Sequence, residues 1–142
     1  MIGIIITGHG YFASGLLSSL ELIMGKQERL AAVDFDGNGT ENYEKALNKA
    51  ISSMKDSREI LICTDLLGGT PFKTAALLSE QEHQFGIVAG TNLPMLMEVL
   101  FARNGIEKAD LLASQAVSAG KENIMKYVPA VSDDTAESEE CI

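Results

Sequence analysis

The chain has 142 residues, 46% of them apolar, and carries a net charge of −9. That length suits one domain with a sizeable buried core, and the apolar share is ordinary for a folded, water-soluble protein. The acidic balance argues against nucleic acid as a partner, because gripping a phosphate backbone needs a basic face, and no apolar run approaches the ~20 residues of a membrane-spanning helix.

Short apolar runs alternate with longer amphipathic ones. Ile2–Thr7 reads as a buried strand, and its lack of a basic leader makes a signal peptide unexpected. A helix follows from about Tyr11 to Met24, where Leu16, Leu17, Leu20 and Met24 recur at helical spacing and Gly25 suits the stop. Leu30–Phe35 is the second strand, Asp36-Gly37-Asn38-Gly39 a loop, and Thr40 is placed to cap a helix to about Met54. Ile60–Thr64 is the third strand, after which Gly68-Gly69 turns the chain. Thr70-Pro71 has the cap-then-proline signature of a helix start, and that helix runs to about Ser79. Phe85–Ala89 is the fourth strand, Gly90–Leu93 a loop, and Pro94 opens a helix to about Ala102. A last helix covers Lys108 to Lys126, with Gly120 as its weak point. Asp133, Asp134, Glu137, Glu139 and Glu140 crowd the final ten residues, so 132–142 reads as a solvated, disordered tail beyond a single domain spanning 1–131.

Cys63 lies in an apolar run and Cys141 is the penultimate residue. Two cysteines so placed do not make a disulfide framework, and the default compartment is a reducing cytoplasm. There is no Cys/His cluster at zinc spacing, and no metal is assigned.

Four βα units in succession predict an α/β fold: one open, mainly parallel sheet covered by helices on both faces, with right-handed crossovers. In such sheets ligands bind beyond the carboxyl ends of the strands. His9 follows the first strand between Gly8 and Gly10, whose freedom lets the backbone turn and leaves the imidazole accessible. A neutral imidazole is a nucleophile near pH 7; the blander alternative is a strand-ending histidine that bonds a loop. Asp65 ends the third strand. If strands one and three are neighbours, its carboxylate accepts from His9 Nδ1–H and leaves the lone pair on Nε2, although such a carboxylate often just caps a turn.

Gly68-Gly69-Thr70-Pro71-Phe72 offers backbone N–H groups at a helix start, where the dipole favours an anion, and Thr70 adds a hydroxyl. Gly69 and Thr70 are therefore candidate phosphoryl-binding residues, against the alternative of an ordinary glycine turn. The segment is not a nucleotide P-loop, since no Gly-Lys-Ser/Thr follows. His83 reads as an exposed loop residue. Asp34 and Asp36 are more often turn residues than metal ligands, Met95 and Met97 belong to the core, and Thr91 and Asn92 are candidates to line the crevice.

The stretches IGIIITGHG, LICTDLLGGTPF and VAGTNLPMLMEVL, in this order, resemble the IIA domain of the mannose family of the bacterial phosphoenolpyruvate-dependent sugar phosphotransferase system. The likeness extends over about Met1 to Lys126. It implies that His9 is phosphorylated on Nε2 with Asp65 orienting it, and that HPr is the donor. It further implies a histidine on the IIB component as acceptor, with the membrane components IIC and IID served indirectly and no cofactor. It implies a sheet of strand order 2-1-3-4 and a homodimer, in which an additional antiparallel strand can be exchanged; Lys126–Val131, with Pro129 suited to a sheet edge, is the candidate. Leu66-Leu67 stand where some relatives have tryptophan. Some relatives run on into a fused IIB domain, whereas this chain ends in the acidic tail, so a separate IIB polypeptide is expected. Three rivals remain: the phosphocarrier subunit of a dihydroxyacetone kinase system, a hydrolase that discharges a phosphohistidine to water, and an anion sensor whose His9 is never modified. The transported sugar is not legible.

Overall fold

The computed structural model describes residues 1–81 and 84–130. His83, Val131 and the acidic tail lie outside them. The first strand, β1 (Gly3–His9), is buried at every position but the last, as a central parallel strand covered on both faces must be. It pairs in parallel with β2 (Leu30–Phe35) on one side and β3 (Ile60–Thr64) on the other, and β3 pairs with β4 (Phe85–Val88). The sheet order is β2-β1-β3-β4, the order that the family resemblance implied.

Alternate residues of β1 feed two cores. Ile4 and Ile6 pack with α1 (Phe12–Met24), α4 (Leu93–Ala102) and α5 (Ala109–Glu122) through Leu20, Leu96 and Leu112. Ile5 faces α2 (Glu41–Ser53) and α3 (Thr70–Gln81), packing with Tyr43, Leu47 and Ala75. The chain leaves β1 toward β2, then crosses back over β1 to reach β3. The order therefore reverses between β1 and β3, and that crevice is the default ligand position in an open sheet.

Element boundaries depart from the sequence reading in a few places. β1 runs on to His9 because pairing with β2 continues to Phe35, whose carbonyl also accepts the Gly10 N–H at 2.7 Å. Thr40 holds the cap position of α2 but makes no side-chain cap bond. Helix α5 stops at Glu122, four residues short of Lys126, and 124–130 form neither helix nor strand. The candidate exchange strand is thus unpaired over Lys126–Ala130 in this single chain. Among the described residues no helix is long and apolar enough to cross a membrane.

At the amino-terminal edge of the sheet, Arg103 is buried to 4% exposure at the end of α4. Its guanidinium donates to the carbonyls of Glu28 (2.7 Å), Arg29 (3.1 Å) and Ile2 (3.3 Å), tying β1, the α1–β2 loop and α4 together. Removing it takes a donor from three carbonyls, of which that of Arg29 keeps another, the Ile4 N–H at 2.9 Å, and opens a void. Arg103→Ala should cost about 3 kcal/mol in urea unfolding, with the chemistry at the other end of the strands unchanged.

Candidate functional site

Three chain segments meet at the carboxyl edge between β1 and β3. His9 is the last residue of β1. Asp65 is the first residue beyond β3, and its carbonyl is held by the Gly90 N–H at 3.1 Å. One carboxylate oxygen, Asp65 Oδ2, lies 2.8 Å from His9 Nδ1 and also accepts the His9 backbone N–H at 2.9 Å. A single oxygen thus grips both the ring and the main chain of His9. With Nδ1–H donating, the lone pair is on Nε2. The His9 side chain is 46% exposed and that of Asp65 14%, so the imidazole is open to solvent while the carboxylate that holds it is sheltered.

Burial pushes the Asp65 carboxyl pKa up. The His9 backbone N–H, the His9 ring and the Leu66 amide outweigh it, and the net position is below the usual carboxylate value. Asp65 is therefore ionised at neutral pH. Its other oxygen, Oδ1, is buried with no hydrogen-bond partner among the described residues, which leaves His9 as the main answer to its charge.

The glycines serve close approach more than flexibility. A Cβ on Gly8 would lie 2.6 Å from Phe12 Cδ1 and 2.9 Å from Asp65 Cγ, so only glycine lets Asp65 come up against β1. A Cβ on Gly69 would lie 2.8 Å from His9 Cε1 and 3.6 Å from Nε2. Gly69 thus forms a flat wall against the imidazole at Cε1, beside Nε2. Its own N–H donates to the Leu66 carbonyl at 3.1 Å and is engaged in the turn. The expectation that this amide holds a phosphoryl group does not fit that geometry. The free donors are those at the start of α3, where Thr70 is the first helical residue rather than the cap. Its amide and that of Phe72 lack intrahelical partners, and Pro71 has none to offer. Gly69→Ala should displace the ring and slow any reaction at Nε2 by about 10-fold, since angstrom-scale misplacement costs up to ~10²-fold. Stopped-flow transfer rates, read beside an unchanged melting temperature, check this.

The other sequence candidates have structural duties. Asp34 reaches across from β2 to cap α1, accepting from the Ser14 N–H (2.9 Å) and hydroxyl (2.6 Å). Asp36 closes its own turn on the Asn38 N–H at 2.8 Å. Thr91 donates to the Thr64 carbonyl at 2.7 Å, and Asn92 accepts the Met95 N–H and donates to the Gly120 carbonyl, each at 3.0 Å. These two brace the loop instead of lining the crevice. Met95 is buried in the core and Met97 packs against it. Among the described residues no group of three or more His, Cys, Asp or Glu is placed to hold a metal.

Sequence reasoning passed over Phe35. Its ring stands edge-on to His9, centroids 5.6 Å apart at 68°, and the run LAAVDF gives no sign of it beyond an apolar strand end. Around the site Tyr11, Leu66 and Leu67 stand exposed. A cavity of about 980 Å³ lies at the opposite edge of the sheet, among Ile2, Glu59, Arg103 and Lys108, far from this chemistry.

The chain matches the EIIA-man family, described as PTS system fructose IIA component, over residues 3–118. It is 34% identical to the PTS system fructose-specific EIIA component of Bacillus subtilis, an alignment covering 98% of this chain and 99% of that protein. The crystal structure of phosphotransferase system component EIIA from Streptococcus agalactiae matches with a TM-score of 0.81 at 40% identity, covering 89% of this chain and 97% of that one. The mannose/sorbose specific IIA subunit from Enterococcus faecalis matches with a TM-score of 0.80 at 26% identity, covering 92% and 98%. On this evidence the chain belongs to the EIIA-man family, the mannose-type IIA components of the sugar phosphotransferase system.

Proposed function

We propose that this chain is a cytoplasmic phosphocarrier whose His9 Nε2 accepts a phosphoryl group from phospho-HPr and passes it to a histidine of a IIB component. The observation that carries the reading is the Asp65 Oδ2 bond to Nδ1 at 2.8 Å. It leaves the lone pair on Nε2 of a side chain that is 46% exposed, with Gly69, just before α3, against its ring. In the accepting step that lone pair attacks phosphorus while the P–N bond to the donor imidazole breaks, its electron pair returning to the donor ring. His9 becomes a phosphoimidazolium, and its remaining N–H points at an ionised Asp65. The Thr70 and Phe72 amides and the Thr70 hydroxyl, at the start of the helix that follows Gly69, are the donors for the phosphoryl oxygens, and the helix dipole favours their charge. Transfer to IIB is the same step reversed, with the new P–N bond on the acceptor. Positioning and electrostatics suffice for such a transfer.

A protein donor fits this site better than a small substrate. His9 stands on an open edge, ringed by the exposed apolar side chains of Tyr11, Leu66 and Leu67. Exposed apolar groups about a reactive centre suit a transient protein contact. The family resemblance adds a homodimer, with Lys126–Val131 as the segment to be exchanged.

Intact-mass spectrometry after incubation with phosphoenolpyruvate, Enzyme I and HPr tests the reading. One acid-labile phosphoryl group, lost again when a cognate IIB is added, is the expected outcome. A folded protein that takes up none is an anion sensor at best, and one that releases free phosphate without an acceptor is a hydrolase.

A further inference from the structure

We infer that Phe35 is a positioning residue for His9, fixing the plane of the imidazole where Asp65 fixes only one of its atoms. A single hydrogen bond to Nδ1 sets the place of that nitrogen and leaves the ring free to tilt about it. The lone pair on Nε2 lies in the ring plane, so tilt points it away from an incoming phosphorus, and in-line transfer is sensitive to such misalignment. Something must hold the plane.

Phe35 is placed to do so. It ends β2 directly opposite His9 in the parallel register, and its carbonyl takes the Gly10 N–H at 2.7 Å. Its ring meets the imidazole at 5.6 Å and 68°, the edge-to-face arrangement that aromatic pairs prefer. Phe35 is itself immobilised. It is 9% exposed, and the Tyr43 ring from α2 backs it at 5.1 Å. The Tyr43 hydroxyl bonds Thr7 Oγ1, which in turn donates to the Val33 carbonyl at 2.7 Å. Brace and ring are therefore tied back to β1 and β2, the strands that carry His9. Gly69 closes off the ring at Cε1. Asp65, Phe35 and Gly69 together leave the imidazole one orientation, and Phe35 is the only side chain of the three that acts by shape.

The transfer part of this inference rests on the carrier reading, but the ring-orientation part does not. Phe35→Met and Phe35→Leu keep an apolar group in the core and remove the flat ring; Phe35→Tyr keeps the ring. Two measurements apply to every variant that retains the wild-type circular dichroism spectrum: ¹³C relaxation of the Cδ2–H and Cε1–H bonds of the unphosphorylated His9 ring, and steady-state phosphorylation by phospho-HPr. The wild type and Phe35→Tyr should show a rigid ring. The Met or Leu variant should show a mobile ring, still in the Nδ1–H tautomer that Asp65 sets, and a maximal transfer rate lower by roughly 10-fold, with the KM for HPr unchanged. Two substitutions of different shape are used so that one folded variant suffices. A folded Met or Leu variant with wild-type ring relaxation and rate overturns the inference, as does a loss that appears in KM alone. If the wild type takes no phosphoryl group, the carrier reading fails, and the ring spectra still decide whether Phe35 orients His9.

Discussion

His9→Ala is expected to carry no phosphoryl group after incubation with phosphoenolpyruvate, Enzyme I and HPr, while His83→Ala carries the same single group as the wild type. The loss should be complete, because the competing nucleophiles near the site are disabled. Burial pushes the Cys63 thiol up to about 12 and the Tyr43 hydroxyl likewise to about 12, so neither is ionised at neutral pH. Asp65 is ionised, but it is set back from the surface, its side chain 14% exposed against 46% for His9. Removing a side chain that is 46% exposed should leave the fold intact, with the melting temperature within a few degrees of wild type. Intact-mass spectra of the three proteins, taken before and after acid treatment, read the result. A phosphoryl group surviving on His9→Ala would move the chemistry elsewhere and end the carrier mechanism drawn here.

The parts of this site that the sequence displays are those set by local chain rules. A glycine-flanked histidine after an apolar run, and an aspartate after another, are legible because parallel strands present their carboxyl ends together. The pairing of His9 with Asp65 follows wherever β1 and β3 are neighbours, as they are here. What stayed hidden depends on register across the sheet. Phe35 faces His9 only because β2 pairs with β1 from Ile4↔Leu30 through His9↔Phe35, and no residue in LAAVDF encodes that offset. Asp34 is a remote cap for α1, joined to Ser14 across two elements, and a sequence search for caps looks only at neighbours. Gly69 is the instructive case. Its place before a helix suggests a donor amide, whereas the amide is engaged by Leu66 and the missing Cβ is what the imidazole needs. The sequence marks that a glycine is there; the packing tells which of its properties matters.

Asp65→Asn should slow phosphoryl transfer by about 10²-fold or more while leaving the protein folded. The amide has nearly the carboxylate's shape, and its oxygen can still accept one N–H. It brings no charge, however, and the imidazole becomes cationic as the P–N bond forms, so the term lost belongs to the transition state rather than to HPr binding. The maximal rate should fall and KM should hold. The same variant tests the electrostatics independently of transfer. Burial opposes ionisation of Asp65, but the His9 N–H and ring win, so its folded pKa lies below the ordinary value. A depressed carboxyl pKa contributes stability that is present above the unfolded value of ~4 and is lost as pH falls through the folded one. Wild-type stability in urea should therefore drop on acidification through that window, and the drop should be shallower in Asp65→Asn. If the acid limbs coincide while transfer still falls, the carboxylate acts on the transition state alone. If transfer is unchanged, His9 is oriented without Asp65 and the Phe35 contact becomes its principal constraint.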